Sequence, residues 1–205
     1  MLCAFKNPVV KATERARALV PMLALLWVVA LALEALQPAC AQPATDEYKV
    51  KAAFLFHFAQ LVDWPSGSFN AEDQSFNLCI FDDEPHRQAL QSTLEGSPLG
   101  TRLVHVRLLN QMQSAQGCSL FFLSRDESLH QNAILKNLRD QPVLTVGEAD
   151  NFLLEGGIIR LHLDQGKIRF DINVGAAESS HLKISSRLLL LASSVKLGDG
   201  MKSGN

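Results

Sequence analysis

The sequence has 205 residues, a formal net charge of −2 at pH 7, 47% hydrophobic residues and 20% charged residues. This length is sufficient for one domain with a full hydrophobic core. The nearly balanced charge, without a run of Lys and Arg in the body of the chain, excludes nucleic acid as an expected partner.

The N-terminal region predicts an export signal. Residues 18–33 are almost wholly apolar and follow a basic start, and Ala39-Cys40-Ala41 offers a small-x-small cleavage site. An uncleaved membrane anchor is the alternative, but the apolar run is shorter than the ~20 residues that a spanning helix needs. A lipoprotein signal at Cys40 is disfavoured because Gln37 and Pro38 precede it. We therefore expect a signal peptide over 1–41, an exported domain over 42–196 and a flexible tail over 197–205.

The four cysteines agree with export. Cys3 and Cys40 lie in the predicted leader, which leaves Cys79 and Cys118 as an even pair. In an oxidising compartment two such cysteines are expected to form a disulfide, although two separate buried thiols would also satisfy the sequence. No second Cys or His lies at ligand spacing from either one, so a metal site is not expected.

The first element of the exported domain is a predicted helix from Thr45 or Asp46 to about residue 62. An apolar stripe at helical spacing marks the face that we expect to be buried. The stripe consists of Val50, Phe54, Phe58 and Leu61, with Tyr48, Ala52 and Leu55 beside it. Trp64-Pro65 then ends the helix, because proline disfavours helical geometry in the residue before it.

Strands and helices then alternate. We predict strands over 76–81, 101–108, 120–123 and 143–146, and helices over 85–94, 111–116 and 127–138 with a helical turn over 150–154. Such alternation is typical of a largely parallel sheet with helices on both faces. The predicted fold is a single three-layer α/β domain with a mixed, mostly parallel sheet, a closing antiparallel hairpin and a C-terminal helix.

Residues 156–192 predict that hairpin and helix. Asp164-Gln165-Gly166 supplies the turn, and the residues after it alternate between apolar and polar. We expect Ile168, Phe170, Ile172 and Val174 to be buried, and Lys167, Arg169, Asp171 and Asn173 to face solvent. Ser185 is expected to cap a helix whose apolar centre is 188–191.

The sequence offers little for catalysis. Asp82-Asp83-Glu84 follows a predicted strand and, with Asp126, resembles the acidic pocket of a phosphoacceptor domain. The alternative is that these anions stabilise the start of a helix. The six histidines are scattered: no two lie three or four residues apart, and His57 falls on the apolar side of the first predicted helix. None is expected to act as a catalytic base. We expect no catalytic residues, no metal and no cofactor.

Six motifs in order resemble the YfiR family of periplasmic proteins. They are YKVKAAFLFHF (48–58), VDWP (62–65), PVLTV (142–146), GGII (156–159), IRFDIN (168–173) and ISSRLLLLA (184–192). The resemblance implies a periplasmic α/β protein that represses an inner-membrane diguanylate cyclase and is sequestered by an OmpA-like outer-membrane lipoprotein, with cyclic-di-GMP level and biofilm formation as the output. It also implies a disulfide at Cys79 and Cys118 and a capacity to form homodimers. Some relatives carry a further cysteine pair, which this chain lacks near Leu153 and Arg160.

A regulator of this kind needs an exposed binding patch and no catalytic group. The residues that we expect to contact a partner are Trp64, Arg169, Asp171, Asn173, Lys183 and Ser185. Trp64 is equally suited to plug the interior, and Arg169 and Asp171 could form an ordinary solvated face or pair with Arg160 across the hairpin. The alternative function is a small-molecule sensor that binds a ligand near 82–84 or Lys183.

Overall fold

The computed structural model describes residues 43–69, 75–81, 86–109, 116–125 and 128–198. These residues form five helices and ten strands. The helices are α1 (Pro43–Gln60), α2 (His86–Leu94), α3 (Ser128–Leu138), α4 (Val174–Ser179) and α5 (Ser186–Leu191). The strands are β1 (Val62–Asp63), β2 (Ser75–Phe81), β3 (Pro98–Leu99), β4 (Arg102–Leu109), β5 (Leu120–Leu123), β6 (Leu144–Gly147), β7 (Ile159–Asp164), β8 (Lys167–Asn173), β9 (Lys183–Ile184) and β10 (Ser194–Lys196).

Several predictions fall outside the described residues. They are the signal peptide over 1–41, the acidic cluster over 82–84 with Asp126, all but the last residue of the helix over 111–116, and the tail beyond residue 198.

The main sheet has eight strands in the order β10-β8-β7-β6-β5-β2-β4-β3. Neighbouring strands are parallel except in the β7–β8 hairpin and the β3–β4 hairpin. A separate two-stranded antiparallel sheet joins β1 to β9. The predicted mixed, mostly parallel sheet with a closing hairpin is confirmed.

Two apolar clusters cover opposite faces of this sheet. In β2, Leu78 and Ile80 belong to one cluster and Cys79 and Phe81 to the other, as the two-residue period of a strand requires. Helices α1 and α2 contribute to the first cluster and α3 to the second. The domain therefore has the three layers that the alternation of elements predicts.

Cys79 in β2 and Cys118, two residues before β5, form a disulfide with their Cα atoms 5.8 Å apart. Both residues are buried. The predicted pair is confirmed, and it lies inside the second apolar cluster.

Helix α1 is confirmed, but it ends at Gln60, before β1 and Trp64-Pro65, and the predicted apolar stripe is wrong in part. Val50 is 47% exposed, because the buried face is rotated toward the residues that recur at helical spacing from Tyr48. The buried residues of the helix are Tyr48, Lys51, Ala52, Leu55, Phe58 and Ala59.

The hairpin forms as predicted, with Gln165 at φ 48° and Gly166 at φ 74° in a two-residue turn. Ser185 caps α5 as expected, because its side chain accepts a hydrogen bond from the Leu188 amide. Within α5, however, Leu190 is 85% exposed, whereas Leu188 is buried. The crossover helix α4 and the edge strand β10 were not predicted. Val174, predicted as part of strand β8, is the first residue of α4.

Candidate functional site

Pairing of β1 with β9 brings together three of the predicted contact residues. Asp63 lies opposite Lys183, and because the strands are antiparallel, Trp64 and Ser185 follow them at opposite ends of the pair. The Ser185 amide donates a hydrogen bond of 3.0 Å to the Leu61 carbonyl and continues the pairing. Lys183 is exposed, and Trp64 and Ser185 are half-buried. We call Asp63, Trp64, Lys183 and Ser185 the β1–β9 surface.

Trp64 packs against the interior and is also partly exposed. Its ring packs edge-on against Phe76 with centroids 5.2 Å apart and lies 6.0 Å from the Phe69 ring, yet the residue keeps part of its surface in solvent. The chain then turns back: the Ser68 amide donates to the Pro65 carbonyl, and Gly67 has φ 91°. This is the geometry of a type II turn, which favours glycine at its third position.

A cavity of about 610 Å³ adjoins Trp64. It lies among the end of α1, strand β1, the 64–69 loop, the start of β2 and the turn between β3 and β4. Phe69 and Phe76 line it together with Trp64, and Arg102 places its guanidinium 4.1 Å from the centre of the Phe69 ring. We call it the aromatic cavity. It differs from the ligand positions considered from the sequence, which were 82–84 and Lys183.

The predicted solvent face of β8 is wrong for two of its residues. Arg169 is exposed as expected, whereas Asp171 and Asn173 are 5% and 6% exposed. All three lie on the same side of the strand, as the alternation requires. The end of β8 that carries Asp171 and Asn173 is covered by strand β10 and by the loop over 148–157. The residue pattern of β8 predicts neither of them.

Asp171 is the acceptor of a buried polar network. Its Oδ2 accepts hydrogen bonds from Arg160 Nη2 at 2.7 Å and Nε at 3.2 Å, and its Oδ1 accepts one from the Ser194 hydroxyl at 2.7 Å. Burial by itself would raise the pKa of Asp171, but the hydrogen bonds from Ser194 and Arg160 and the charges of His162 and Arg160 outweigh it, so the pKa lies below its ordinary value. The cross-strand pair with Arg160, one of the alternatives from the sequence, is thus present.

Asn173 caps the N-terminus of α4. Its Oδ1 accepts a hydrogen bond from the Ala176 amide at 3.1 Å, and its Nδ2 donates to the Leu153 carbonyl at 3.1 Å. Because α4 leads directly to β9, Asn173 helps to set the position of Lys183.

A buried ion pair was missed by the sequence argument. Lys51 Nζ lies 2.5 Å from Glu148 Oε1 and 2.8 Å from Glu47 Oε1, with 7% of the lysine side chain exposed. The same atom lies 4.1 Å from the centre of the Tyr48 ring. The signal was available, since Lys51 is one turn from Tyr48 and Leu55 on the buried face of α1. The pair ties α1 to the segment after β6.

Within the described part of the chain, no group of three or more His, Cys, Asp or Glu side chains could hold a metal ion. Nor is any helix there long and apolar enough to cross a membrane. His57, expected on the apolar side of α1, is exposed and lies 3.2 Å from Gln60 Oε1.

These features define a mixed α/β domain with a small two-stranded surface beside an aromatic cavity. The chain belongs to the YfiR/HmsC-like family, whose model matches residues 48–193. A crystal structure described as a conserved domain protein from Vibrio cholerae O1 biovar El Tor N16961 is similar to the chain at 12% identity and a TM-score of 0.48. The match covers 73% of this chain and 60% of that protein.

Proposed function

We propose that this protein is a periplasmic repressor that binds the periplasmic part of an inner-membrane diguanylate cyclase, and that an OmpA-like outer-membrane lipoprotein sequesters it. Control of biofilm formation through the cyclic-di-GMP level follows from that role. The observation that carries the proposal is the family match over residues 48–193. Export by a cleaved signal peptide over 1–41 is part of the same proposal.

The β1–β9 surface is our candidate for the contact with one partner. Lys183 supplies an exposed charge, and the half-buried Trp64 directly follows Asp63, the residue that pairs with Lys183. Aromatic residues held partly in the interior lose little side-chain entropy on binding, and they are enriched among the residues that dominate interfaces. Arg169, exposed on β8, is the second candidate contact.

Asp171 and Asn173 enter the proposal as positioning residues. Their polar atoms are occupied by Arg160, Ser194, Ala176 and Leu153, which leaves them little capacity to bond a partner. Their contribution is to hold β8, β10 and the start of α4 in place beneath the contact residues.

Co-purification tests the proposal. The exported protein is mixed with periplasmic fragments of candidate cyclases, and a complex is expected at micromolar concentration. The Lys183→Glu variant reverses an exposed charge and is expected to weaken the complex about tenfold or more, as the loss of a charged contact usually does. Lys136→Glu changes another exposed lysine, on α3, and is the matched control, which is expected to bind like the unmodified protein. Absence of any complex with the tested cyclases at these concentrations would contradict repression by direct binding.

A further inference from the structure

One side of strand β4 is only partly covered by another strand. Strand β3 is the last described strand at this end of the sheet, has two residues and begins with Pro98, which has no amide hydrogen. It pairs with Arg102 and Leu103, so the rest of β4, up to Leu109, extends beyond it. The edge of a strand offers its N–H and C=O groups to any other extended chain, including a second copy of the same protein.

The backbone that precedes β3 covers the next residue of β4. The Gly96 amide donates a hydrogen bond of 2.8 Å to the Val104 carbonyl, and the Val104 amide donates one of 2.9 Å to the Ser97 carbonyl. Alternate residues of a strand direct their backbone groups to the same side, so Val106 and Leu108 face outward as Val104 does. We call the outward-facing backbone of Val106 and Leu108 the β4 edge.

At the β4 edge a side chain takes the place of a neighbouring strand. The β3–β4 register, if continued, places Glu95 opposite Val106, but the Glu95 backbone still belongs to the end of α2, because its amide donates to the Gln91 carbonyl. Its side chain reaches β4 instead: Oε2 accepts a hydrogen bond of 2.7 Å from the Val106 amide, and Oε1 lies 3.0 Å from His105 Nδ1. The hydrogen bond from the Val106 backbone, followed by the one with His105, holds the pKa of Glu95 below its ordinary value. The group at this edge is therefore a carboxylate at neutral pH.

Strand β4 has a composition that favours pairing with another strand. Its sequence RLVHVRLL contains no acidic residue, no Gly and no Pro, and five of its eight residues are Leu or Val. Segments of this kind have a high strand propensity and associate with one another when their edges are exposed. Leu103 is 58% exposed and Leu108 is 37% exposed, so apolar surface lies at both ends of the segment that contains Val106.

We propose that Glu95 protects the β4 edge from pairing with the same edge of a second copy of this protein. Its carboxylate occupies the position that a carbonyl of an incoming strand would take, so the Val106 amide is already satisfied. Two identical edges are suited to pair about a two-fold axis, which makes a second copy the partner that this contact excludes. The proposal does not depend on the function proposed above, and it leaves every other surface free to bind a partner or to form a dimer.

Sedimentation equilibrium of the purified protein tests this, with the unmodified chain as the baseline. Glu95→Ala removes the acceptor of the Val106 amide and is expected to self-associate at about tenfold lower protein concentration, since an unpaired backbone donor regains a hydrogen bond when another strand pairs with it. At a dilution at which the variant does not associate, the Val106 amide is expected to exchange its hydrogen about tenfold faster than in the unmodified protein, as measured by nuclear magnetic resonance.

Three further variants separate this contact from a general effect of charge. Glu95→Gln keeps an acceptor oxygen at the same position along the side chain and is expected to behave like the unmodified protein. Glu178→Ala removes an exposed carboxylate on α4 and is the matched control, which is expected to leave self-association unchanged. Leu108→Lys added to Glu95→Ala places a lysine on the β4 edge and is expected to return self-association to the baseline, because edge lysines oppose strand pairing.

The proposal is overturned if Glu95→Ala associates no more than the unmodified protein, or if Glu95→Gln or Glu178→Ala associates as strongly as Glu95→Ala. Self-association of Glu95→Ala that persists after Leu108→Lys is added would place the contact on another surface and would also overturn it. Should Glu95→Ala fail to fold, as circular dichroism would reveal, Glu95→Asp takes its place, since its shorter side chain withdraws the carboxylate from the Val106 amide.

Discussion

At the scale of single residues, Asp171 shows how one buried carboxylate can hold three strands together. It accepts from Arg160 on β7 and from Ser194 on β10 while lying on β8 itself. Its carboxylate side chain is 8% exposed, and the arginine side chain is 22% exposed. Removing one partner of such a pair leaves the other without compensation, which is usually more harmful than replacing both.

We expect Asp171→Asn to lower the free energy of unfolding at pH 7 by about 1–3 kcal/mol, because it removes charge-assisted hydrogen bonds and leaves Arg160 uncompensated. The pKa of Asp171 is lowered in the folded state, so its stabilising contribution is complete above the unfolded pKa, near 4, and is lost as pH falls through the folded pKa. The difference between the unmodified protein and the variant should therefore shrink from pH 7 to about pH 3. Urea unfolding at both pH values measures it.

Asp164→Asn provides the control for this prediction. Asp164 lies in the same hairpin, opposite Lys167, and is exposed. Its replacement is expected to change stability by less than about 0.5 kcal/mol, as most surface substitutions do. A difference for Asp171→Asn that stays constant between the two pH values would contradict the role assigned to its charge.

At the scale of elements, the loop between β6 and β7 decides what the hairpin exposes. Its Asp150 and Leu153 carbonyls accept hydrogen bonds from Arg160 and Asn173, and Phe152 anchors it in the second apolar cluster. The Phe152 ring lies between Gly147 and Gly157, and a Cβ at either glycine would overlap the ring carbons. The two glycines thus make the space for the ring that fixes the loop.

Gly157→Ala is therefore expected to displace Phe152 and to destabilise the fold by about 1–3 kcal/mol, as overpacking usually does. The double variant Gly157→Ala with Phe152→Leu should lose less stability than the sum of the two single variants, because the smaller side chain relieves the overlap. A double-mutant cycle by urea unfolding measures this coupling. Gly156→Ala has open space around its Cβ position but a φ of 99°, so it reports backbone strain alone. Simple additivity of Gly157→Ala and Phe152→Leu would contradict the steric explanation.

This loop also explains where the sequence argument succeeded and where it failed. The alternation in 167–173 correctly assigned the two sides of β8, because that period is a local property of the strand. Burial of Asp171 and Asn173 depends on a loop and an edge strand that arrive from elsewhere in the chain. The segment that forms β10, Ser194–Lys196, is three exposed residues without an apolar pattern, so nothing local predicts it. Strands β1 and β9 are shorter still, with two residues each, and for that reason the sequence could nominate Trp64 and Lys183 separately but could not predict that Lys183 pairs with Asp63, the residue before Trp64.

At the scale of the whole molecule, the disulfide closes a loop with a sequence separation of 39 residues that contains α2, β3 and β4. In the chain-entropy model a loop of this length corresponds to about 4 kcal/mol of stabilisation, from restriction of the unfolded chain. Cys79 is 0% exposed and Cys118 is 6% exposed, both within the cluster beneath α3. A reductant must reach a sulfur to attack it, so opening of the fold has to precede exchange.

We therefore expect the disulfide to act as a structural link and not as a redox switch. In the folded protein, dithiothreitol should release thiols at the rate at which the fold opens, and the release should accelerate strongly in denaturing urea. Mass spectrometry after rapid alkylation counts the free thiols over time. The Cys79→Ala/Cys118→Ala double variant measures the effect of losing the link, and its free energy of unfolding is expected to be lower by about 2–4 kcal/mol. Reduction that is as fast under native conditions as in urea would mean that the pair is accessible in the folded state, and a regulatory role for it would then be the better explanation.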